Sequence, residues 1–418
     1  MKLFFLSFAV LLPLQAADDS LTLKVLVPGQ EQSLALEPLA TIPLNAVGGE
    51  LRPAAGGRAI VVRTLQPHAL HAIRIDEPKA LGKIPLENVH SNFAANGDSV
   101  FVYRPATKRI TRYPLTSIRP AKSTTLKDEV RFAKLLAGPS SSKAPLWVTA
   151  DQQLHAFNPS TLENAGVHLL KEGVSSTRLP TRSPGPMAVS PDGSVLPCSM
   201  NMGRLIDRNL RLAHTLTPGN ASHAWLAPDG LHYVHDGQLK SSIEQLPRPA
   251  VSNGQGAVAI DRDLWWCTAN RGHHRLQLRS GTSDRVLLEV QTAGRSFGRV
   301  FISFTHNRLA CTDAKTKSVH IYPFDLEAFA KKLDLPTWIE TNGSLLVPHL
   351  KPAVFKLSSN GEVSKMSLSS HPEGADLKDG VIRWTPPEVT KAAPFRFTVE
   401  IPNETIRSFT VFVVPDCQ

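Results

Sequence analysis

The stretch MAVSPDGSVLPCSMNMGRLIDRNL, Met187 to Leu210, returns in outline at Ala224 as AWLAPDGLHYVHDGQLKSSI. Each copy is an apolar step, a Pro-Asp-Gly turn, a strand-like run, a second turn and another strand-like run. Looser copies occupy much of the chain. Gly57 marks RPAAGGRAIVVRTLQPHALHAIRI, Gly97 marks NFAANGDSVFVYRPATKRITRYPL, and a turn over Gly138 to Lys143 marks AGPSSSKAPLWVTADQQLHAFNPSTL. Arg262 marks VAIDRDLWWCTANRGHHRLQLRSG and Asn307 marks FISFTHNRLACTDAKTKSVHIYPF. With Gly193 and Gly230 these make seven units, spaced 32 to 55 residues apart.

Within the units the strands alternate, as in Ser99 to Tyr103 and His232 to His235, so neighbouring side chains point to opposite faces. Short alternating strands repeating near forty residues build a β-propeller, in which each blade buries its faces only against the next. Thirty-three prolines and 26 glycines fit so turn-rich a chain. Closing the ring requires its open edge to be paired. The segment QSLALEPLATIPL, Gln32 to Leu44, reads as a strand donated to the last blade. The longest step holds GVSSTRLPTRSPGP, Gly173 to Pro186, which has the composition of a loop. The runs AVSPDG and WLAPDG resemble the blade turns of bacterial WD40-like and YVTN-like propellers, in which SPDG joins the innermost strand to the next. The resemblance spans Leu44 to Phe324. It implies the fold and no functional residues, and the Trp-Asp dipeptide and Gly-His pair of WD40 blades are absent.

The pattern breaks at DLEAFAKKLDL, Asp325 to Leu335. Asp325 can cap a helix whose Leu326, Phe329 and Leu333 share a face, and Pro336 ends it. Beyond Trp338 come longer strands. Pro372, Gly374, Asp379-Gly380, Ile382, Trp384, Thr385 and Pro386, followed by alternating runs over Phe395 to Ile401 and Ser408 to Val414, resemble the immunoglobulin-like, cadherin-like domain of exported bacterial proteins. That resemblance implies a β-sandwich with Trp384 in its core and a spacer, adhesion or docking role. The expected organisation is all-β: a signal peptide over 1–17, a seven-bladed propeller over 18–335 with a short helix at 325–335, and an immunoglobulin-like sandwich over 336–418.

The signal peptide is read from MKLFFLSFAVLLPLQA: a positive Lys2, an apolar run from Leu3 to Leu14 and small residues at Ala16 and Ala17. The run is shorter than the roughly 20 residues a spanning helix needs, and no later segment spans. The chain is expected to be exported, to the periplasm, the cell surface or the medium. The formal charge is +10, yet the stretch from Pro336 onward holds 8 Lys+Arg against 9 Asp+Glu. The positive excess therefore sits in the repeats. Scattered surface charge explains it better than a polyanion site. Binding to an acidic polysaccharide stays open. Nucleic acid is not expected, because no basic stripe interleaves with aromatics.

No catalytic, cofactor or metal residue is assigned. Of the four cysteines, Cys267 and Cys311 hold equivalent places in adjacent units and should not face each other, and Cys198 and Cys417 lie elsewhere, so no structural disulfide is expected. His232 and His235 point to opposite faces, and His273-His274 fall in a hairpin turn, so neither pair chelates. Ser190 is read as bracing the SPDG turn. Asp261 and Asp263, flanking Arg262, are read as a surface turn. Trp265-Trp266 could form a sugar platform, but packing between blades is preferred. The function these features favour is a non-enzymatic binding or scaffold protein engaging a protein or glycan through propeller loops. The alternative is a hydrolase, lyase or lactonase with a metal or acid cluster in the central channel.

Overall fold

The computed structural model describes residues 20–24, 32–127, 133–150, 153–169, 189–193, 195–198, 203–207, 212–216, 226–235, 238–241, 256–269, 274–281, 286–292, 297–391 and 393–415. Residues 1–19, which include the expected signal peptide, and the loop Gly173 to Pro186 lie outside them. Among the described residues, the chain up to Phe324 forms seven antiparallel sheets in sequence order. Sheet 1 holds Gly48–Ala54, Ala59–Leu65, His68–Arg74 and Lys79–Pro85; sheet 2 holds Asn92–Ala95, Ser99–Arg104, Arg109–Pro114 and Lys122–Thr125. Sheet 3 holds Ala133–Leu136, Leu146–Ala150, Gln153–Phe157 and Asn164–Leu169. Sheet 4 contains Val195–Cys198, Gly203–Asp207 and Leu212–Leu216, and sheet 5 contains His232–His235 and Gln238–Ser241. Sheet 6 contains Gly256–Val258, Leu264–Ala269, Arg275–Ser280 and Val286–Thr292, and sheet 7 contains Val300–Ser303, Arg308–Asp313 and Ser318–Pro323.

The first strands lie side by side. Asn92–Ala95 touches both Gly48–Ala54 and Ala133–Leu136, and Val300–Ser303 touches Gly48–Ala54, which brings sheet 7 back against sheet 1. Alternation then buries both faces of a strand. In Ser99–Arg104, Val100 and Val102 pack with Ile84 and Leu70 of sheet 1, while Phe101 and Tyr103 pack with Leu135 and Val148 of sheet 3. Fully burying such a side chain contributes about 1.5–3 kcal/mol.

The N-terminal segment closes the ring differently from the single strand expected over Gln32 to Leu44. Only Ala40–Pro43 joins sheet 7, pairing antiparallel with Ser318–Pro323. Thr41 also places its hydroxyl 3.1 Å from Nδ1 of the buried His320. Ser33–Leu36 instead pairs with Leu21–Lys24, and that strand pairs with Val286–Thr292 at the outer edge of sheet 6. The bend at Glu37-Pro38 separates the two roles, because proline carries no N–H for a ladder. The segment therefore fastens two adjacent sheets.

The repeated turns join first strand to second strand, and each is hydrogen-bonded to its neighbours. Ala55 N–H donates to Asn96 O at 3.0 Å, Gly56 N–H to Pro139 O at 2.8 Å, and Gly97 N–H to Ser141 O at 3.1 Å. Ser140 N–H donates to Pro191 O at 2.8 Å, and Leu226 N–H to Val189 O at 3.1 Å. Ser190 does brace its turn, its hydroxyl donating to Asp192 Oδ1 at 2.6 Å. The glycines follow from this crowding. Gly193 has φ +76, and a Cβ on Gly138 would lie 2.2 Å from the Gly193 nitrogen.

The helix is Leu326–Lys332, with Asp325 accepting from Ala328 N. Leu326, Phe329 and Leu333 join the core beside Phe324. After it, eight strands form two sheets. One runs Ile339–Asn342, Ala353–Ser359, Val381–Trp384, Asp376–Lys378; the other runs Leu346–Pro348, Thr405–Val414, Ala393–Ile401, Ser367–Ser370. Their facing sides share one core, in which Trp384 and Phe397 meet edge-on at 5.4 Å and Phe355 lies 5.8 Å from Phe397. The long hairpin exceeds the expected runs at both ends, because Pro402-Asn403-Glu404 alone makes the turn, with Asn403 at φ +62.

Gly138→Ala is expected to lower the unfolding midpoint by the equivalent of about 1–3 kcal/mol through overpacking. Gly56→Ala meets nothing within 4 Å and bears only the left-handed backbone cost at φ +64, about 1–2 kcal/mol. Thermal unfolding of both variants checks the order.

Candidate functional site

The Asp261-Arg262-Asp263 turn is not a solvated surface turn; its three side chains tie three parts of the protein together. Asp261 Oδ2 accepts from Thr305 N–H of the next turn at 2.8 Å. Arg262 sends Nε to both oxygens of the fully buried Glu340, at 3.0 and 2.9 Å, and its Nη2 bonds the same carboxylate. Its Nη1 reaches Glu327 on the helix at 2.9 Å. Asp263 Oδ2 accepts from Thr341 N–H at 3.0 Å, from the Thr341 hydroxyl at 2.8 Å and from Arg407 Nη2 at 2.6 Å. Glu340, Thr341 and Arg407 belong to the C-terminal sheets, so these sheets are docked on the turn end of the ring.

The PDG turn of sheet 5 belongs to the same junction. Leu345 N–H donates to Asp229 O at 3.0 Å, and Leu231 lies in the core of the C-terminal sheets. His232 Nδ1 stands 2.6 Å from Asp229 Oδ2, whose other oxygen accepts from Leu231 and His232 N–H. Burial alone would depress the His232 pKa, but the Asp229 charge, with Asp263 beyond it, raises it above the ordinary 6.5 against opposition from Arg407. Burial pushes Asp229 up, yet His232 and the two amides hold it below 3.8. Burial raises Asp263 despite Arg407, and Asp229 adds to the rise. With His232 protonated, the two carboxylates and two cations balance. Stripping one partner from a buried pair costs about 3–5 kcal/mol, because the other charge is left without compensation. Gly281 makes room for this: a Cβ there would lie 1.2 Å from Arg407 Nη1.

The other residues singled out in the sequence are dispersed. Trp265 and Trp266 are both buried, on opposite faces of sheet 6: Trp265 packs with Val234 and Leu239 of sheet 5, and Trp266 with Phe301 of sheet 7. Neither can serve as a sugar platform. Cys267 and Cys311 are buried thiols, and burial pushes Cys267 up despite Arg279. His274 is exposed; His273, Cys417 and the side chains of His235 and Cys198 lie outside the described residues. Among the described residues, no group of His, Cys, Asp and Glu could hold a metal ion, and no helix is long and apolar enough to cross a membrane. Arg407 and Glu340 were not legible as partners of the repeat, since 144 and 78 residues separate them from Asp263 and Arg262.

A cavity of about 300 Å³ lies at the other end of the ring. Its lining comes from the ends of strands remote from the docked turns: Glu50 and Arg52, Gly256 and Ala257, Arg299 and Val300, with Trp266, Thr268 and Leu276 behind. Arg52 Nε donates to Glu50 Oε1 at 2.8 Å, and its Nη1 donates to the carbonyls of Phe93 and Leu135. One guanidinium thus spans the first strands of sheets 1, 2 and 3. Arg299 Nε donates to Gly49 O at 2.9 Å. Exposed Leu65 and Val89 border this end. A Cβ on Gly49 would sit 3.2 Å from the Leu65 side chain, and Arg63 Nη2 reaches Val89 O.

Solved structures match the arrangement of sheets. U3-55K, a WD40 propeller, aligns with a TM-score of 0.50 at 12% identity, over 69% of this chain and 98% of that one. The β-propeller domain of Myceliophteria thermophila Cps50 (Swd1) aligns with a TM-score of 0.47 at 10% identity, over 69% of this chain and 99% of that one. No family model matches the sequence. No curated protein matches it either. The ring is a β-propeller. Its contact with the C-terminal sheets uses the turn end, and its cavity opens at the other.

The junction has a pH signature. His232 is raised, so its contribution is complete below its ordinary 6.5 and is lost as pH climbs through the higher value it has in the fold. Asp229 is lowered and gives way only as pH falls below its ordinary 3.8. The unfolding midpoint should therefore fall as the pH is raised above about 6.5. His232→Gln should flatten that limb and lower the midpoint on its acid side. A wild-type midpoint that is flat over this range contradicts the charge balance.

Proposed function

We propose that this chain is an exported binding or scaffold protein. It comprises a seven-bladed propeller over 18–335 and an immunoglobulin-like sandwich over 336–418, and it engages a protein or glycan through the propeller mouth opposite the sandwich. The seven sheets support the blade count, and the two packed C-terminal sheets around Trp384 support the sandwich. The observation that carries the functional reading is the division of labour between the two ends. Asp229, Asp263, Arg262 and His232 are occupied in holding the sandwich. The cavity and its apolar border lie at the other end, and among the described residues none from the C-terminal sheets lines it. A rigidly held second domain orients that mouth, as a scaffold requires.

Photo-crosslinkers at Leu65 and Val89, tested against Leu350 and Ile406 on the C-terminal sheets, address this in cell-envelope or culture extract. The expected adducts come from the first pair. Adducts only from the second pair, or a stoichiometric divalent ion in the purified protein as the enzymatic alternative requires, would overturn the reading.

A further inference from the structure

We infer that the cavity at the open mouth is a site for an oxyanion: a carboxylate, sulfate or phosphate group carried on a molecule of about monosaccharide size. This rests on the binding reading of that mouth and names the ligand chemistry.

The first support is charge. Among the described residues, Glu50 is the single carboxylate lining the cavity, and it faces Arg52 at 2.8 Å and Arg63 at 4.0 Å. Arg299 lines the same space. Two guanidiniums therefore pair with the Glu50 carboxylate, and Arg299 adds a third positive charge to the lining. Burial lowers the Arg63 pKa, Glu50 raises it and Arg52 lowers it again, so the like charges are felt. A concave, partly apolar wall concentrates such a field and favours an incoming anion.

The second support is donor geometry. Arg52 is fixed by Glu50, by the carbonyls of Phe93 and Leu135 and by the Phe93 ring 4.6 Å below it. Its Nη2 has no partner among the described residues. Arg299 is anchored through Nε alone, which leaves both Nη groups without a partner among the described residues. A guanidinium held at one side with N–H groups left over suits an oxyanion, whose oxygens accept paired N–H bonds.

The third support is the wall. Leu51, Trp266, Leu276 and Val300 give the cavity an apolar side facing the cationic one. Its 300 Å³ is at the small end of ligand sites. That volume suits a compact molecule with one charged end, or the terminal residue of an acidic glycan.

Calorimetric titration of the full chain with glucuronate, glucose, inorganic sulfate and a heparin oligosaccharide tests this. Glucuronate should bind, glucose should not, and sulfate should compete with glucuronate. Arg299→Gln should weaken glucuronate binding by about tenfold, the loss of one charge-assisted contact, while keeping the circular dichroism spectrum. Equal binding of glucuronate and glucose, or glucuronate affinity unchanged in Arg299→Gln, overturns the inference. If the heparin oligosaccharide binds in both proteins while glucuronate and sulfate bind in neither, the cavity is not the anion site. Mouth crosslinks would then still stand for the binding reading.

Discussion

The Asp263 carboxylate is almost fully removed from water and is paid back by three donors from the C-terminal sheets. That bargain organises the molecule. A buried carboxylate is tolerated only when hydrogen bonds and a cation replace its hydration. Arg407 supplies the cation and Thr341 the remaining bonds. Arg407 in turn needs the space that Gly281 leaves. Next to it, Asp229 and His232 form a second opposite-charge pair, and Arg262 with Glu340 forms a third. The C-terminal sheets are thereby held by directional contacts as well as by the apolar contact of Leu231.

The same turns do two jobs. Within sheets 1 to 4 they interlock with one another through backbone bonds, and glycine is required where Gly138 meets Gly193. In sheets 5 and 6 the equivalent turns face the C-terminal sheets. The ring is closed on its outer side by Ala40–Pro43 on sheet 7, and the strands before it add to sheet 6, so the N-terminal segment braces one of the two sheets that carry the junction. Closure and docking are thus mechanically adjacent.

Much of this was legible in the sequence, for local reasons. The repeat, the alternation in Ser99 to Tyr103, the role of Ser190 in its turn and the Asp325 cap depend on residues close in the chain. The packing of Trp265 and Trp266 followed from their alternation. What could not be read were long-range pairings. Asp263 looks like any turn aspartate until Arg407 is placed beside it. The division of Gln32 to Leu44 between two sheets turns on Glu37-Pro38, a break that strand propensity alone does not weigh. The cavity was equally hidden, because it draws Glu50 and Arg52 from the first sheet and Arg299 from the segment leading into the last, and only closure brings them together.

Amide hydrogen exchange at two positions tests the docked arrangement most directly. Thr341 N–H donates to the Asp263 carboxylate and Leu345 N–H to the Asp229 carbonyl, so their protection depends on contact with the ring. Both should exchange as slowly as amides in the core strands Val381–Trp384 and Thr405–Val414. Exchange of both at the rate of exposed loop amides, with those strands still protected, would mean that the C-terminal sheets fold but do not dock on the turns, and would contradict the account.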